Sequence, residues 1–237
     1  MKIANRKRPA ELGIAGIMLL GILPIAAQDH PNLEGVWKLA KPQAALKPAD
    51  NQPVPFSEKG RAQYEQNKLA PAKGDYNFDP TMSRCSSPGL PRLMLTPDRF
   101  RIFQRPQVIA MAFEWNRLLR QIDLGGGPHE RPLIATMNGV TYGTWEGSTL
   151  VARSYGLLDK TLLDDRIPHS EQLELVERIR LRDRNTLEDR ISITDPETFT
   201  RPWDAILSYK RQADDAFPFP EDVCLDRKNA GQPPLPR

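Results

Sequence analysis

Cysteine and histidine are scarce in this chain: two and three among 237 residues, with aromatic residues at only 7%. The histidines (His30, His129, His169) and cysteines never fall at the short fixed spacings that bind zinc, so the sequence supplies no metal motif. It also has no Gly-X-Ser-X-Gly elbow of the kind that presents a hydrolase serine. The glycine run Gly125-Gly126-Gly127 is followed by Pro128 and Pro132 rather than by a helix start. Without a strand–helix frame it is no phosphate cradle, and no cofactor is expected. Internal repeats are absent. The longest apolar run, Gly13 to Ile25, is about a dozen residues, short of the ~20 a spanning helix needs.

That run has another meaning. Lys2, Arg6, Lys7 and Arg8 precede it as a basic segment, and Ala26-Ala27 follows as a small-residue cleavage site, the layout of a secretory signal peptide over residues 1–27. No cysteine follows that could carry a lipid, so the expected destination is the periplasm or beyond, with no membrane span after cleavage. The signal takes four basic residues and Glu11 with it, and the formal +3 of the whole chain becomes zero. A neutral chain without a basic stripe is not built for nucleic acid. The run Arg178, Arg180, Arg182, Arg184 reads as the wet face of a strand, offset by Glu174, Asp183, Glu188 and Asp189. In an oxidising compartment Cys85 and Cys224 are expected to pair. A bridge closing so long a loop stabilises by about 4–5 kcal/mol at most.

Hydrophobic alternation is what the chain does have. From Leu173 to Arg182 the odd positions are Leu173, Leu175, Glu177, Ile179 and Leu181, and the even ones are charged apart from Val176. Successive strand side chains point to opposite faces, so this strand buries its odd face and Glu177 goes inside with it. Further strands are expected from Leu33 to Leu39, Arg99 to Gln104, Gln107 to Trp115, Arg117 to Asp123, Gly139 to Trp145, Ser148 to Ser154, Leu187 to Thr194 and Trp203 to Arg211. Glu146-Gly147 is the tightest hairpin turn. Between Leu173–Arg182 and Leu187–Thr194 the expected register sets Leu181 opposite Asp189 and Ile179 opposite Ile191, with a bulge near Arg184-Asn185. Ser57 caps a short helix ending about Leu69, before Pro71. Nine strands in sequential order predict an all-β fold, an antiparallel up-and-down meander closed into a barrel, with a short N-terminal helix and a proline-rich arm. The expected division is signal 1–27, arm 28–98, barrel 99–225 and flexible tail 226–237.

Gly35-Val36-Trp37 on the first strand resembles the Gly-X-Trp opening of the lipocalins and related calycin barrels. The resemblance implies that Trp37 closes one barrel end beneath a basic residue of the last strand, Lys210 or Arg211. A second resemblance rests on longer runs: Cys85-Ser86-Ser87-Pro88-Gly89-Leu90-Pro91-Arg92, Thr144 to Val151, Pro168-His169-Ser170-Glu171, Glu177-Arg178, Asp195-Pro196 and Arg201-Pro202-Trp203. These are similar to a widespread family of exported bacterial proteins of uncharacterised function, over roughly Leu33 to Cys224. Two positions depart from it, Ser148 and Arg153, where that family usually carries aspartates. The resemblance implies the fold and export but no activity.

Candidate site residues follow from the barrel. Glu177 is a carboxylate on a buried face, costly unless paired, hydrogen-bonded or lining a wet cavity; Arg117, Arg120 or Tyr142 could pair with it structurally. His169, in the loop before that strand, is the candidate general base, with Asp164 and Asp165 near it in sequence. Glu146, Trp145, Tyr142 and Arg178 are candidate ligand contacts at a barrel mouth shared by His129 and His169, while His30, beside the cleavage site, is expected to be disordered. The leading reading is an exported protein that binds a small, partly apolar molecule. Two others stay open: a small lyase, isomerase or hydrolase using His169 and Glu177, and an envelope interaction module suggested by the proline-rich arm and tail. Oligomeric state is not written in the sequence.

Overall fold

A computed structural model describes residues 30–126, 134–214 and 217–236. The signal segment and His129 lie outside them. Nine strands form one closed barrel in sequence order: β1 (Gly35–Leu39), β2 (Phe100–Arg105), β3 (Val108–Phe113), β4 (Leu119–Asp123), β5 (Val140–Glu146), β6 (Thr149–Tyr155), β7 (Glu174–Asp183), β8 (Thr186–Thr194) and β9 (Trp203–Gln212). This is the all-β up-and-down meander, closed into a barrel, that the alternation predicts. β1 falls within the expected arm yet is a barrel strand, paired with both β2 and β9.

The expectation that every neighbour is antiparallel needs correcting. Strand directions reverse at each antiparallel junction, so nine strands cannot close into a ring without at least one parallel junction. Here it falls between β4 and β5, where Asp123 lies opposite Tyr142 as the single register pair. The other eight junctions are antiparallel. The barrel wall therefore has one thin seam.

The register of β7 and β8 differs by two residues from the expected one: Leu181 faces Leu187, Ile179 faces Asp189 and Glu177 faces Ile191. A two-residue slip keeps every side chain on its own face, so alternation cannot separate the two registers; the turn does. Asp183 pairs with Thr186 after a bulge, and the Asp183 carboxylate accepts from the Asn185 amide (2.8 Å), drawing the loop tight. The reading of Asp189 as a surface charge is overturned in either register: it is 0% exposed, on the inner face beside Glu177.

Trp37 is wholly buried. Its indole nitrogen donates to the Leu33 carbonyl, and the Arg211 guanidinium lies 4.2 Å above its ring centroid. Arg211 also donates to the carbonyls of Glu34 and Arg184, so it is Arg211 rather than Lys210 that seals this end. The inner face is otherwise filled by one apolar cluster including Phe100, Ile102, Ile109, Met111, Ile122, Leu150, Ile179, Ile191, Leu207 and Tyr209.

The opposite end is covered by the arm. Helix α1 (Glu58–Leu69) starts at Ser57, whose hydroxyl accepts from the Gly60 amide as expected. Gly60 lies so close to the Thr198 carbonyl that a Cβ would sit 2.2 Å from it, and only glycine lets the helix dock there. The proline-rich stretch before α1 is held down rather than free: the Ala49 amide donates to Asp204, and Pro48 and Phe56 bridge to Ala205 and Phe199. Helix α2 (Pro80–Arg84) ends at Cys85, which is bonded to Cys224 at a Cα separation of 5.7 Å, across 139 residues of chain. Cys224 opens α3 (Cys224–Asn229). The flexible tail is a further correction. Leu235 is buried, and the Trp115 indole donates to the Pro234 carbonyl (2.8 Å), because the disulfide anchors the tail across Trp115.

Candidate functional site: a polar centre behind the barrel seam

β7 projects Glu177 inward at its midpoint, and β4, across the barrel, projects Arg120. Both are buried, with 0% and 1% of their side chains exposed, and they form a two-pronged ion pair: Arg120 Nη1 donates to Glu177 Oε1 (2.8 Å) and Nη2 to Oε2. Of the three partners the sequence offered, Arg120 is the one used. Arg117 lies on the surface near Glu221, and Tyr142 lines the seam.

Asp189, one strand over on β8, is the residue sequence reasoning missed. Neither of its carboxyl oxygens makes a hydrogen bond of good geometry among the described residues, and the Arg120 Nε is likewise unsatisfied. Burial pushes the Asp189 pKa well above the usual carboxylate range; the neighbouring Glu177 charge adds to this, and Arg120 opposes it only in part. Burial thus favours the protonated form of Asp189, whose O–H can donate. The Tyr209 phenol, pushed up by burial and by the same two acids, donates to the Met94 carbonyl (3.0 Å). Buried polar atoms without partners are rare in folded proteins and call for a water, an ion or a ligand. The signal was present in the sequence, since Asp189 shares the odd positions of β8 with Leu187, Ile191 and Ile193.

Arg120 also belongs to the lining of a cleft in the barrel wall. Along the seam runs a cleft of about 380 Å³, lined by Leu119, Arg120, Gln121, Asp123 and residues 138–142, including Tyr142. Leu119 is 52% exposed at its rim. Arg120 is thus a residue of both the interior pair and the cleft lining, with 1% of its side chain exposed.

The other candidate residues are elsewhere. His169 is buried, but in the wall of a separate cleft of about 710 Å³ between α1, α2 and the loop before β7, lined also by Asn67, Lys160 and Glu197; Glu177 does not line it. Its Nδ1 lies 2.9 Å from the Ser170 carbonyl and its Nε2 2.7 Å from the Thr161 hydroxyl. A carbonyl only accepts, so Nδ1 carries the proton and Nε2 accepts from Thr161. Burial holds the His169 pKa below its ordinary value, with the Ser170 bond and the charges of Asp195 and Asp159 opposing. A neutral imidazole with both nitrogens committed inside the protein has none left for a substrate. Ser170 is fixed in turn by Asp195, which accepts from its amide and its hydroxyl (2.6 and 2.7 Å).

Glu146 and Arg178 pair with each other on the outer face, both about half exposed. Trp145 lies at the sealed end of the barrel. His30, expected to be disordered, stacks on it with ring centroids 4.7 Å apart and an interplanar angle of 7°. Together with Gln104, Arg105 and Leu124 they line a third cleft, of about 580 Å³. Among the described residues no group of three or more His, Cys, Asp or Glu could hold a metal ion, and no helix is long and apolar enough to cross a membrane.

No family model matches the chain, and no curated protein matches it. Among solved structures it is similar to the crystal structure of a mutant of the fluorescent protein UnaG, at 14% identity over 76% of this chain and 96% of that one, with a TM-score of 0.34. A likeness at that level carries no argument about ligand or activity.

Proposed function

We propose that this is an exported, lipocalin-like binding protein that takes a small, partly apolar molecule in the seam cleft, with a polar end turned toward Arg120 and Asp189. Membership of the family of exported bacterial proteins that its motifs resemble is part of the same reading. The observation that carries it is Asp189: a buried acid whose neutral form burial favours, without a hydrogen-bond partner of good geometry, beside Arg120, a residue that also lines an open cleft. An unpaired buried polar group costs about 1–3 kcal/mol, a cost that a ligand supplying an acceptor recovers on binding. The apolar body of the ligand lies against Leu119, Val140 and Tyr142, which line the same cleft. Binding uses the seam and not a hollow barrel, because the interior is filled by its own side chains.

The enzyme reading loses its motive with His169, whose nitrogens are both occupied. The interaction-module reading loses its motive with the arm and tail, which pack onto the barrel.

The test is a titration with 1-anilinonaphthalene-8-sulfonate, displaced by straight-chain acids, amides and alcohols and, as chains without an acceptor, by alkylammonium ions of matched length. Compounds with a terminal acceptor should compete about tenfold better than those without, the worth of one good hydrogen bond. Leu119→Arg, at the exposed rim, should weaken the probe at unchanged melting temperature. Probe binding that ignores both Leu119→Arg and Asp189→Asn would remove the seam as the site.

A further inference from the structure

The seam is a short open strand edge, and the hydrogen bonds around it define its chemistry. In an antiparallel pair, alternate residues exchange both backbone bonds with the partner strand, and the residues between them turn both groups away. The Phe113 amide donates to the Leu118 carbonyl and the Leu124 amide to the Gln107 carbonyl (2.8 Å each). Met111 lies opposite Arg120 and Ile109 opposite Ile122, so the even residues of β4 are spent on β3. Leu119, Gln121 and Asp123 therefore turn their N–H and C=O groups toward β5, while their side chains are exposed on the outer face. Asp123 finds its register there, opposite Tyr142, as the single pair of this junction. Toward the start of both strands the chain entering β5 turns away. Gly139 has a φ of +60° and spends its amide on the Thr136 carbonyl (3.3 Å). A Cβ on Gly139 would stand 2.3 Å from the Tyr155 carbonyl oxygen, so the turn is built into the sequence. Among the described residues no backbone hydrogen bond joins residues 119 and 121 to residues 138 and 139. That parting is the cleft of about 380 Å³.

We propose that the seam cleft binds a short extended peptide, laid along residues 119–121 as an added strand. The inference rests on the seam being the binding site, and it names the class of molecule taken there. β4 and β5 run parallel, so a strand between them that is antiparallel to one is antiparallel to both. Nine strands leave one parallel junction; a strand added at that junction leaves none. Its residues alternately offer N–H and C=O to β4 and to the opposite wall. A hydrocarbon or a sugar has no such row of donors and acceptors at strand spacing. Three residues at about 3.4 Å each match the run of β4 that is open before the strands meet at Asp123. In this mode main-chain bonds supply affinity and alternate side chains supply selection. The outward side chains of the peptide fall beside Leu119, and beside Val140 and Tyr142 across the cleft. Those neighbours favour β-branched residues, and proline is excluded because it lacks the N–H.

The experiment follows amide hydrogen exchange by NMR in the full protein, with the capped tetrapeptide acetyl-Val-Thr-Val-Thr-amide as probe. The peptide should displace 1-anilinonaphthalene-8-sulfonate. Exchange at the Leu119 and Gln121 amides should slow about tenfold or more as hydrogen bonds form over them. Arg120 and Ile122, already bonded to β3, should change no more than the rest of the barrel. Replacing the second valine of the peptide by proline removes one donor and should weaken it about tenfold. Leu119→Pro removes a seam-facing N–H at the first residue of a strand, a position that proline tolerates. It should weaken the peptide by a similar factor at nearly unchanged melting temperature; if it does not fold, exchange in the unaltered protein decides. A peptide that displaces the dye without slowing Leu119 and Gln121 would overturn the proposal. So would straight-chain acids that displace the dye where the peptide does not, a result that leaves the seam as the site. Protection of the two amides that grows with protein concentration alone would make a second copy the occupant and overturn it equally. Failure of peptide and straight-chain compounds alike removes the seam, and this inference with it.

Discussion

Among the described residues two arginine–carboxylate pairs are buried, and they are built on opposite plans. In the arm, Arg92 donates through both Nη atoms to Asp79 (2.9 and 2.8 Å) and again to Asp165 (3.1 Å). Asp79 also accepts from the amides of Thr81 and Met82 as the N-cap of α2. The helix it caps ends at the disulfide. In the barrel, Arg120 meets Glu177 and little else, while Asp189 stands beside them without a hydrogen-bond partner of good geometry. The arm pair is thus knit into the backbone and its carboxylates are fully employed. The barrel pair is self-contained and has an acid to spare. A buried ion pair is weak evidence of function by itself; what separates the two is the surplus.

The arm pair offers the most damaging way to break that contrast. Arg92→Met should cost about 3–5 kcal/mol by stranding Asp79 and Asp165, and adding Asp79→Leu should not restore the loss, because the cap of α2 goes with it. Urea melts of the two variants give the answer. Arg120→Met should cost about as much, yet Arg120→Met with Glu177→Leu should recover most of it, since a self-contained pair is replaceable by apolar side chains. Failure to recover would mean that the barrel pair, too, is tied into the backbone.

Asp189 sharpens the contrast through pH. Its folded pKa lies above its unfolded value, so between the two the unfolded chain binds fewer protons than the folded one. The stabilisation is complete below about pH 4 and falls by about 1.4 kcal/mol per pH unit as pH rises toward the folded pKa. Asp189→Asn should remove that slope while keeping the fold at neutral pH. Denaturant midpoints from pH 4 to 8 for both proteins would show it, and parallel curves would mean that Asp189 is ionised. The smallest effect is expected at the seam. A Cβ on Gly143 would come within 2.6 Å of Ile122 and 2.8 Å of Leu124, so Gly143→Ala should cost about 1 kcal/mol and narrow the seam. Thermal melting measures the first effect and probe affinity the second.

Much of the barrel is legible in the sequence because alternation is a local signal. The strand faces, the inward Glu177, the Ser57 cap, the turn at Gly147 and the Cys85–Cys224 pair follow from spacing, turn chemistry or compartment. What could not be read is whatever depends on the whole ring. The parallel β4–β5 junction is a parity requirement on nine strands, invisible in any one of them. The β7–β8 register turns on a tight loop, and registers two residues apart present identical faces. His169 is misread for a related reason: a histidine beside acidic residues in sequence has the makings of a base, but only the fold reveals that Thr161 and the Ser170 carbonyl already hold its two nitrogens.

The pairing of β1 with both β2 and β9 has a consequence for the order of assembly. Val36 lies opposite Gln212 and Trp37 opposite Arg211, so the first strand of the barrel is completed only by the last. A ribosome releases Trp37 long before Arg211 exists to cover it. Contacts so distant along the chain pay their loop-closure entropy before they return anything. The hairpins β5–β6 and β7–β8 can form locally, whereas ring closure waits for the end of the chain. In the interval Trp37 and the open edge of β1 are the surfaces that a chaperone would have to shield.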